Sequence, residues 1–280
     1  MNTYRYTLCD VFTDQPLTGN ALAVFTNAAA MSPATMQAVA REMNLSETVF
    51  VLPPQTGGHF RIRIFTPRRE VPFAGHPTLG AALVIGHSAQ LDTLLLETGK
   101  GHVPVAIERE AATPVFGWMT QPKPTVGAFE PAGELLSALA LERSLLPIEV
   151  YDNGVRHVLV AADTKERVAR LSPDLGRLAS LPFDCVSVFN AAGASVKTRV
   201  FAPAVGVNED PATGSAAGPL GWHLLRHGLA ESEQALDIEQ GAEIARPSRL
   251  RVRVKGSANQ AESIEVGGQV VVVGRGQLKL

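Results

Sequence analysis

The chain has 280 residues, 45% hydrophobic and 19% charged, with a formal net charge of −2. That balance suits one large globular domain or two ordinary ones, and excludes a disordered or low-complexity chain. Near neutrality argues against broad electrostatic capture of nucleic acid, which needs a clustered excess of Lys and Arg, and Cys9 and Cys185 are too few for a disulfide framework and lack metal-ligand spacing.

The N-terminal "MNTYRYTLCDVFTD" has no signal-peptide core, and the longest apolar runs fall short of a membrane span, so no membrane partner and a reducing cytoplasm are expected. Aromatic and β-branched "YRYTLCDVFT" reads as a strand, followed past Gly19-Asn20 by another in "ALAVFT". Ser32-Pro33 is an N-cap with proline at the first helical position, opening a helix that places Met36, Val39, Ala40 and Met43 on one face. Strands follow at "ETVFVL" and "HFRIRIF", then "GHPTLGAALVIGH", helical in length but apolar all round, as befits a helix inside a protein. After strands at "TLLLET", "VPVAIE" and "VFGWM", the proline-rich stretch at 121–131 marks a boundary.

The second half repeats this rhythm. Helical "GELLSALA" leads to "HVLVAA", a helical "KERVARL", the strands "DCVSVFN" and "SVKTRVF", a buried small-residue helix "GSAAGPLGWHLLRHG", and strands at "RLRVRVK", "SIEVG" and "QVVVVG". Phe65-Thr66-Pro67 aligns with Phe201-Ala202-Pro203, and Gly75-His76 with Gly214-Ser215. An internal duplication follows, with halves at 1–122 and 123–280, central helices near 76–87 and 215–227, and a last strand free to return to the first half.

Several residues could carry chemistry. With Pro77 at the first helical position, His76 is a candidate N-cap at a buried helix start, where free N–H groups attract a carboxylate; taken alone, a histidine there reads first as a structural cap. Asp210 before the second such helix reads alone as an Asp-Pro turn, and Glu47 as a loop carboxylate. Carried inward by its strand, Glu47 would have its pKa raised by burial and suit acid/base work. His223 and His227 are four apart on a helix, but no third metal ligand is evident and His227 suits a helix C-terminus as a cation, so no metal is expected. "VVVVGRG" has no following helix to hold a dinucleotide.

The segments "DVFTDQPLTGNALAVF", "MNLSETVFVL", "RIRIFTPRREVPFAGHPTLGAA", "NEDPATGSAAGPLG" and "IEQG" with "RPSRLRV" together resemble the phenazine-biosynthesis PhzF-like isomerases over almost the whole chain. The resemblance implies an α+β fold of diaminopimelate-epimerase type, two pseudo-symmetric halves each with a rolled, mostly antiparallel sheet around a central helix, and the active site between them. It implies catalytic roles for Glu47, His76 and Asp210, a cleft lined by Gly75, Gly214 and Ser215, and a homodimer. It also implies cofactor-independent proton transfer on a small carboxylated substrate like trans-2,3-dihydro-3-hydroxyanthranilate. Related racemases use two opposed thiols at the helix starts, and neither start here has a cysteine. An epimerase or racemase of another small acid, and a non-catalytic binding protein, stay open as alternatives.

Overall fold

Strands dominate the computed structural model, which describes residues 2–280, and they fall into two units. The first runs through Thr120 and includes Gly267–Leu280; the second is Gln121–Val266.

In the first unit, β1 (Thr3–Val11), β2 (Asn20–Phe25), β3 (Glu47–Leu52), β4 (Phe60–Phe65), β5 (Glu70–Val71), β6 (Thr93–Thr98), β7 (Gly101–Glu110) and β8 (Thr113–Thr120) accompany α1 (Pro33–Met43) and α2 (Gly75–Ala89). β1 pairs antiparallel with β2 and with residues 270–279. β2 runs parallel to β3, β3 antiparallel to β4, and β4 parallel to β6, which leads antiparallel through β7 to β8. α2 touches β1, β2, β3, β6, β7 and β8, so the sheet rolls around it. The helix can be enclosed because it offers no polar face: from Gly75 to Gly86 only Val84 is not fully buried. α1 packs outside. Ser32 Oγ accepts from Thr35 N–H at its start, Asn44 ends it in the left-handed region, and Met36, Val39 and Ala40 bury against the Phe25, Phe50 and Phe65 rings.

The second unit contains β9 (Thr125–Ala128), β10 (Glu149–Asp152), β11 (Arg156–Ala161), β12 (Cys185–Ala192), β13 (Ser195–Ala202), β14 (Val207–Asp210), β15 (Leu236–Gln240) and β16 (Ser248–Gly256), with α3 (Ala132–Ala138), α4 (Lys165–Ala169), α5 (Leu175–Ala179) and α6 (Gly214–Arg226). Its pairings repeat those of the first: β11 parallel to β12, β12 antiparallel to β13, and β13 parallel to β15, with short β14 beside β13 as β5 is beside β4. The registers coincide as well. Leu22 opposes Glu47 and Thr48 opposes Phe65; His157 opposes Cys185 and Val186 opposes Phe201. The duplication is thus built into the hydrogen-bond ladder, and Cys185 occupies in the second unit the strand position that Glu47 occupies in the first.

One element departs from the sequence expectation. "SIEVG" and "QVVVVG" form a single strand, β17 (Ala261–Lys279), instead of two. Gly267 and Gly268 do not break it because they serve packing: a Cβ on Gly267 would meet the Phe116 and Trp118 rings at 2.7 Å, and one on Gly268 would collide with Phe12.

Candidate active site

The first unit brings Glu47, Gly75 and His76 together. Glu47 opens β3 just after the left-handed turn at Asn44, and its Oε2 lies 3.5 Å from Nε2 of His76, whose side chain is buried. The other ring nitrogen, Nδ1, is 3.2 Å from Nδ2 of Asn20, the first residue of β2. An amide NH2 only donates, so Nδ1 accepts and the imidazole proton sits on Nε2, facing the carboxylate. Burial holds the His76 imidazole down at about 3, so it is neutral at ordinary pH. The pair is therefore a carboxylate beside a neutral N–H donor; the desolvation of a ring with almost no water contact outweighs the attraction of a carboxylate at 3.5 Å.

His76 is not the N-cap that the sequence suggested. The cap is Ala74, with Gly75 and His76 the first two helical residues, because Ala74 C=O already accepts from Thr78 N–H at 3.3 Å and from the Thr78 hydroxyl at 2.7 Å. Pro77 is accommodated as the third helical residue, within the first turn, where its missing N–H costs no helical bond. Alanine has no side-chain acceptor and the first turn carries no acidic residue, so no side chain caps this helix start.

The second unit brings Asp210, Gly214 and Ser215 together at the start of α6. Asp210 ends β14, and its Oδ2 accepts from the Thr213 hydroxyl at 2.6 Å. Thr213 is the N-cap residue, yet this bond diverts its hydroxyl, and α6 has no side-chain cap either. Gln240 orders the turn: its Nε2 donates to Asp210 C=O at 2.7 Å and to Thr213 Oγ1 at 2.9 Å, while its Oε1 accepts from Thr213 N–H at 3.2 Å. Asn20 and Gln240 are site residues that reasoning from residue types missed. Gln240 stands in "IEQG", and Asn20 in "LTGN", where it reads only as a turn residue.

The C-terminal end of α6 corrects another expectation. His223 and His227 do have a third partner: Glu149 Oε2 lies 3.1 Å from His223 Nδ1 and 3.0 Å from His227 Nε2. The same oxygen accepts from the Tyr151 hydroxyl at 2.9 Å, and Arg226 faces Oε1 at 3.1 Å. Arg226 is the counter-charge to the carboxylate, and the cluster forms a part-buried hydrogen-bond network tying β10 to α6.

The chain matches the model of the phenazine biosynthesis-like protein family over residues 9–276. It is 47% identical to the trans-2,3-dihydro-3-hydroxyanthranilate isomerase of Pseudomonas aeruginosa, over 99% of this chain and 100% of that one. With an uncharacterized isomerase of Mesorhizobium japonicum it shares 35% identity over 99% of each chain. Among solved structures, a PhzF-family phenazine biosynthesis protein of Bacillus anthracis superposes with a TM-score of 0.87 at 26% identity, covering 100% of both chains. A hydroxyproline epimerase of Agrobacterium vitis, 11% identical, has the same fold at a TM-score of 0.73, covering 99% of this chain and 92% of that one. The chain therefore belongs to the phenazine biosynthesis-like family and has its diaminopimelate-epimerase type of α+β fold. It is an isomerase, and its substrate is small. No helix among the described residues is long and apolar enough to cross a membrane.

Proposed function

We propose that this isomerase moves a proton between two carbons of a small carboxylated ring compound of the trans-2,3-dihydro-3-hydroxyanthranilate type, with Glu47 as its acid/base and no cofactor. The observation that carries this reading is the Glu47–His76 pair, a carboxylate held 3.5 Å from a neutral, oriented N–H donor at an uncapped helix start. As a carboxylate, Glu47 takes a proton from a carbon flanked by unsaturation, and the C–H electron pair passes into the conjugated system. The resulting carboxylic acid, whose proton exchanges with solvent, gives one proton back to another carbon, so atoms and charge balance and no redox partner is needed.

His76 Nε2–H steadies Glu47 or a substrate oxygen while contributing no charge. The helix starts at Gly75 and at Gly214-Ser215 are assigned to the anion, since unpaired N–H groups and the positive helix end favour carboxylate and the developing charge. Asp210, bonded to Thr213, is assigned to positioning the substrate and relaying protons. The 47% identical relative named for this substrate supports the ring acid as the compound to test first. The homodimer implied by the resemblance belongs to the same reading and is checked by light scattering of the purified protein.

Proton exchange tests the chemistry. Followed by NMR in D2O, wild type should convert dihydro-3-hydroxyanthranilate and place deuterium on a ring carbon, and Glu47→Gln should slow this by about a hundredfold or more. Exchange at the wild-type rate in Glu47→Gln would remove Glu47 from the role of base.

A further inference from the structure

α6 contains a proline where a helix ordinarily cannot carry one. Pro219 is its sixth residue and offers no N–H to the carbonyl four residues earlier, that of Ser215, and a proline ring also crowds that carbonyl. The orphaned group thus belongs to a residue assigned above to the anion. It is not left unsatisfied: Asn153 Nδ2 donates to Ser215 C=O at 2.9 Å. One residue earlier, Gln121 Nε2 donates to Gly214 C=O at 2.7 Å. Both amides are almost wholly buried, and both come from outside the helix.

Each amide is itself fixed. Asn153 follows β10 in a turn closed by Gly154 N–H on Asp152 Oδ1 at 2.8 Å, with Gly154 at φ +112°. Gln121 is anchored by its own N–H on Ile264 C=O at 2.9 Å, and its side-chain carbonyl lies against Gly218, where any Cβ would collide with it. Gly218 and Pro219, adjacent in the sequence, therefore act together: one admits the Gln121 amide and the other creates the need for the Asn153 amide. α2 has no counterpart, since its only proline lies in the first turn.

We infer that Asn153 and Gln121 are positioning residues that fix the first turn of α6 for carboxylate binding, Asn153 replacing the helical hydrogen bond that Pro219 removes and Gln121 adding a donor to Gly214 C=O. This rests on the reading that the start of α6 holds the substrate carboxylate. An interior proline without a brace lets the preceding turn tilt and fray, and the N–H groups of Gly214 and Ser215 lose their common direction. With the two amides in place, the turn is set by contacts outside the helix and is ordered before ligand arrives.

Anthranilate, a stable aromatic acid with no proton to be moved between ring carbons, serves as the probe by calorimetry on the full chain, with circular dichroism and melting to verify the fold. Wild type should bind it, and Ser215→Pro, which removes the Ser215 N–H in a first turn that tolerates proline, should bind it more weakly. Asn153→Leu should raise its Kd about tenfold and raise the KM of the isomerisation with kcat within threefold, which a loss of fold alone would not do. Adding Pro219→Ala, which restores an N–H for Ser215 C=O, should bring Kd back to within threefold of wild type. Asn153→Ala, which removes the donor without adding bulk, should behave like Asn153→Leu and covers the case in which leucine prevents folding. Wild-type affinity in Asn153→Leu and Asn153→Ala, with weakened Ser215→Pro, overturns the brace alone. Wild-type affinity in Ser215→Pro, or no binding by wild type, overturns the carboxylate reading and the brace with it.

Discussion

His76 shows how a single residue takes its role from its neighbours. Its ring is 3% exposed, and Asn20 dictates which nitrogen carries the proton. Because burial keeps the folded imidazole neutral down to about 3, His76 should add no ionisation to the rate profile between pH 4 and 8. His76→Gln should lower the rate without changing the shape of that profile, and an ionisation that vanishes in His76→Gln would contradict the neutral imidazole. Asn20→Leu removes the donor to Nδ1 and frees the ring to place its proton there, turning a lone pair toward Glu47. We expect kcat to fall about tenfold to a hundredfold with the melting point within a few degrees of wild type, measured by the same NMR assay. At this scale the sequence marked out Glu47, His76 and Asp210 as candidates, where motif and chemistry coincide. It was silent on Asn20, because an asparagine after glycine signals a turn whatever its side chain does, and only the register of β2 against the start of α2 reveals its partner.

At the scale of elements, the two units use the same strand plan for unequal purposes. β3 opens with Glu47 and β12 with Cys185, at equivalent rungs of equivalent ladders. At this rung the duplication offers no second carboxylate beside Glu47, in keeping with the single acid/base proposed above. The central helices diverge too, one carrying proline in its first turn and the other in its interior. Their apolar length was legible because a helix apolar on every side has few other places to go. The short β5, β9 and β14 were not, since two to four residues carry too little periodicity, and Gly267-Gly268 mimicked a turn where ring packing was the reason for glycine. Gly80 gives the matching prediction inside α2. A Cβ there would lie 2.5 Å from Leu22 Cδ2 and 2.8 Å from Val11 Cγ2, so Gly80→Ala, normally favourable in a helix, should cost about 1–3 kcal/mol in urea unfolding. A stabilised Gly80→Ala would mean that the sheet around α2 yields more readily than its packing indicates.

Over the whole molecule, buried titrating groups decide how the protein meets acid. Burial holds three folded-state histidines below their ordinary 6.5: His76 at about 3 in the first unit, and His157 and His223 at about 4 in the second. For each, the unfolded chain takes up a proton before the folded one does, so stability is full above pH 6.5 and is lost as pH falls toward the folded value. The carboxylates act lower. Burial pushes Glu97 and Glu149 up, but hydrogen bonds outweigh it and hold both at about 2, on Glu97 from the N–H groups of Gln55, Thr56 and Gly58, on Glu149 from His227, Tyr151 and Arg226. Their contribution is full above 4.5 and is lost as pH falls through about 2. Acid loss should therefore come in two stages, and the first falls harder on the unit with two such histidines. His157 matters most there, since neither ring nitrogen has a hydrogen-bond partner and no surface is exposed. Its shift alone corresponds to about 3 kcal/mol by pH 4. Hydrogen exchange followed by mass spectrometry from pH 7 to 4.5, corrected for intrinsic rates, should show peptides of Gln121–Val266 losing protection before those of the first unit. His157→Leu should remove much of that difference and leave the stage below pH 4.5 in place. Earlier loss in the first unit, or an unchanged order in His157→Leu, would move the origin of acid sensitivity away from the buried histidines.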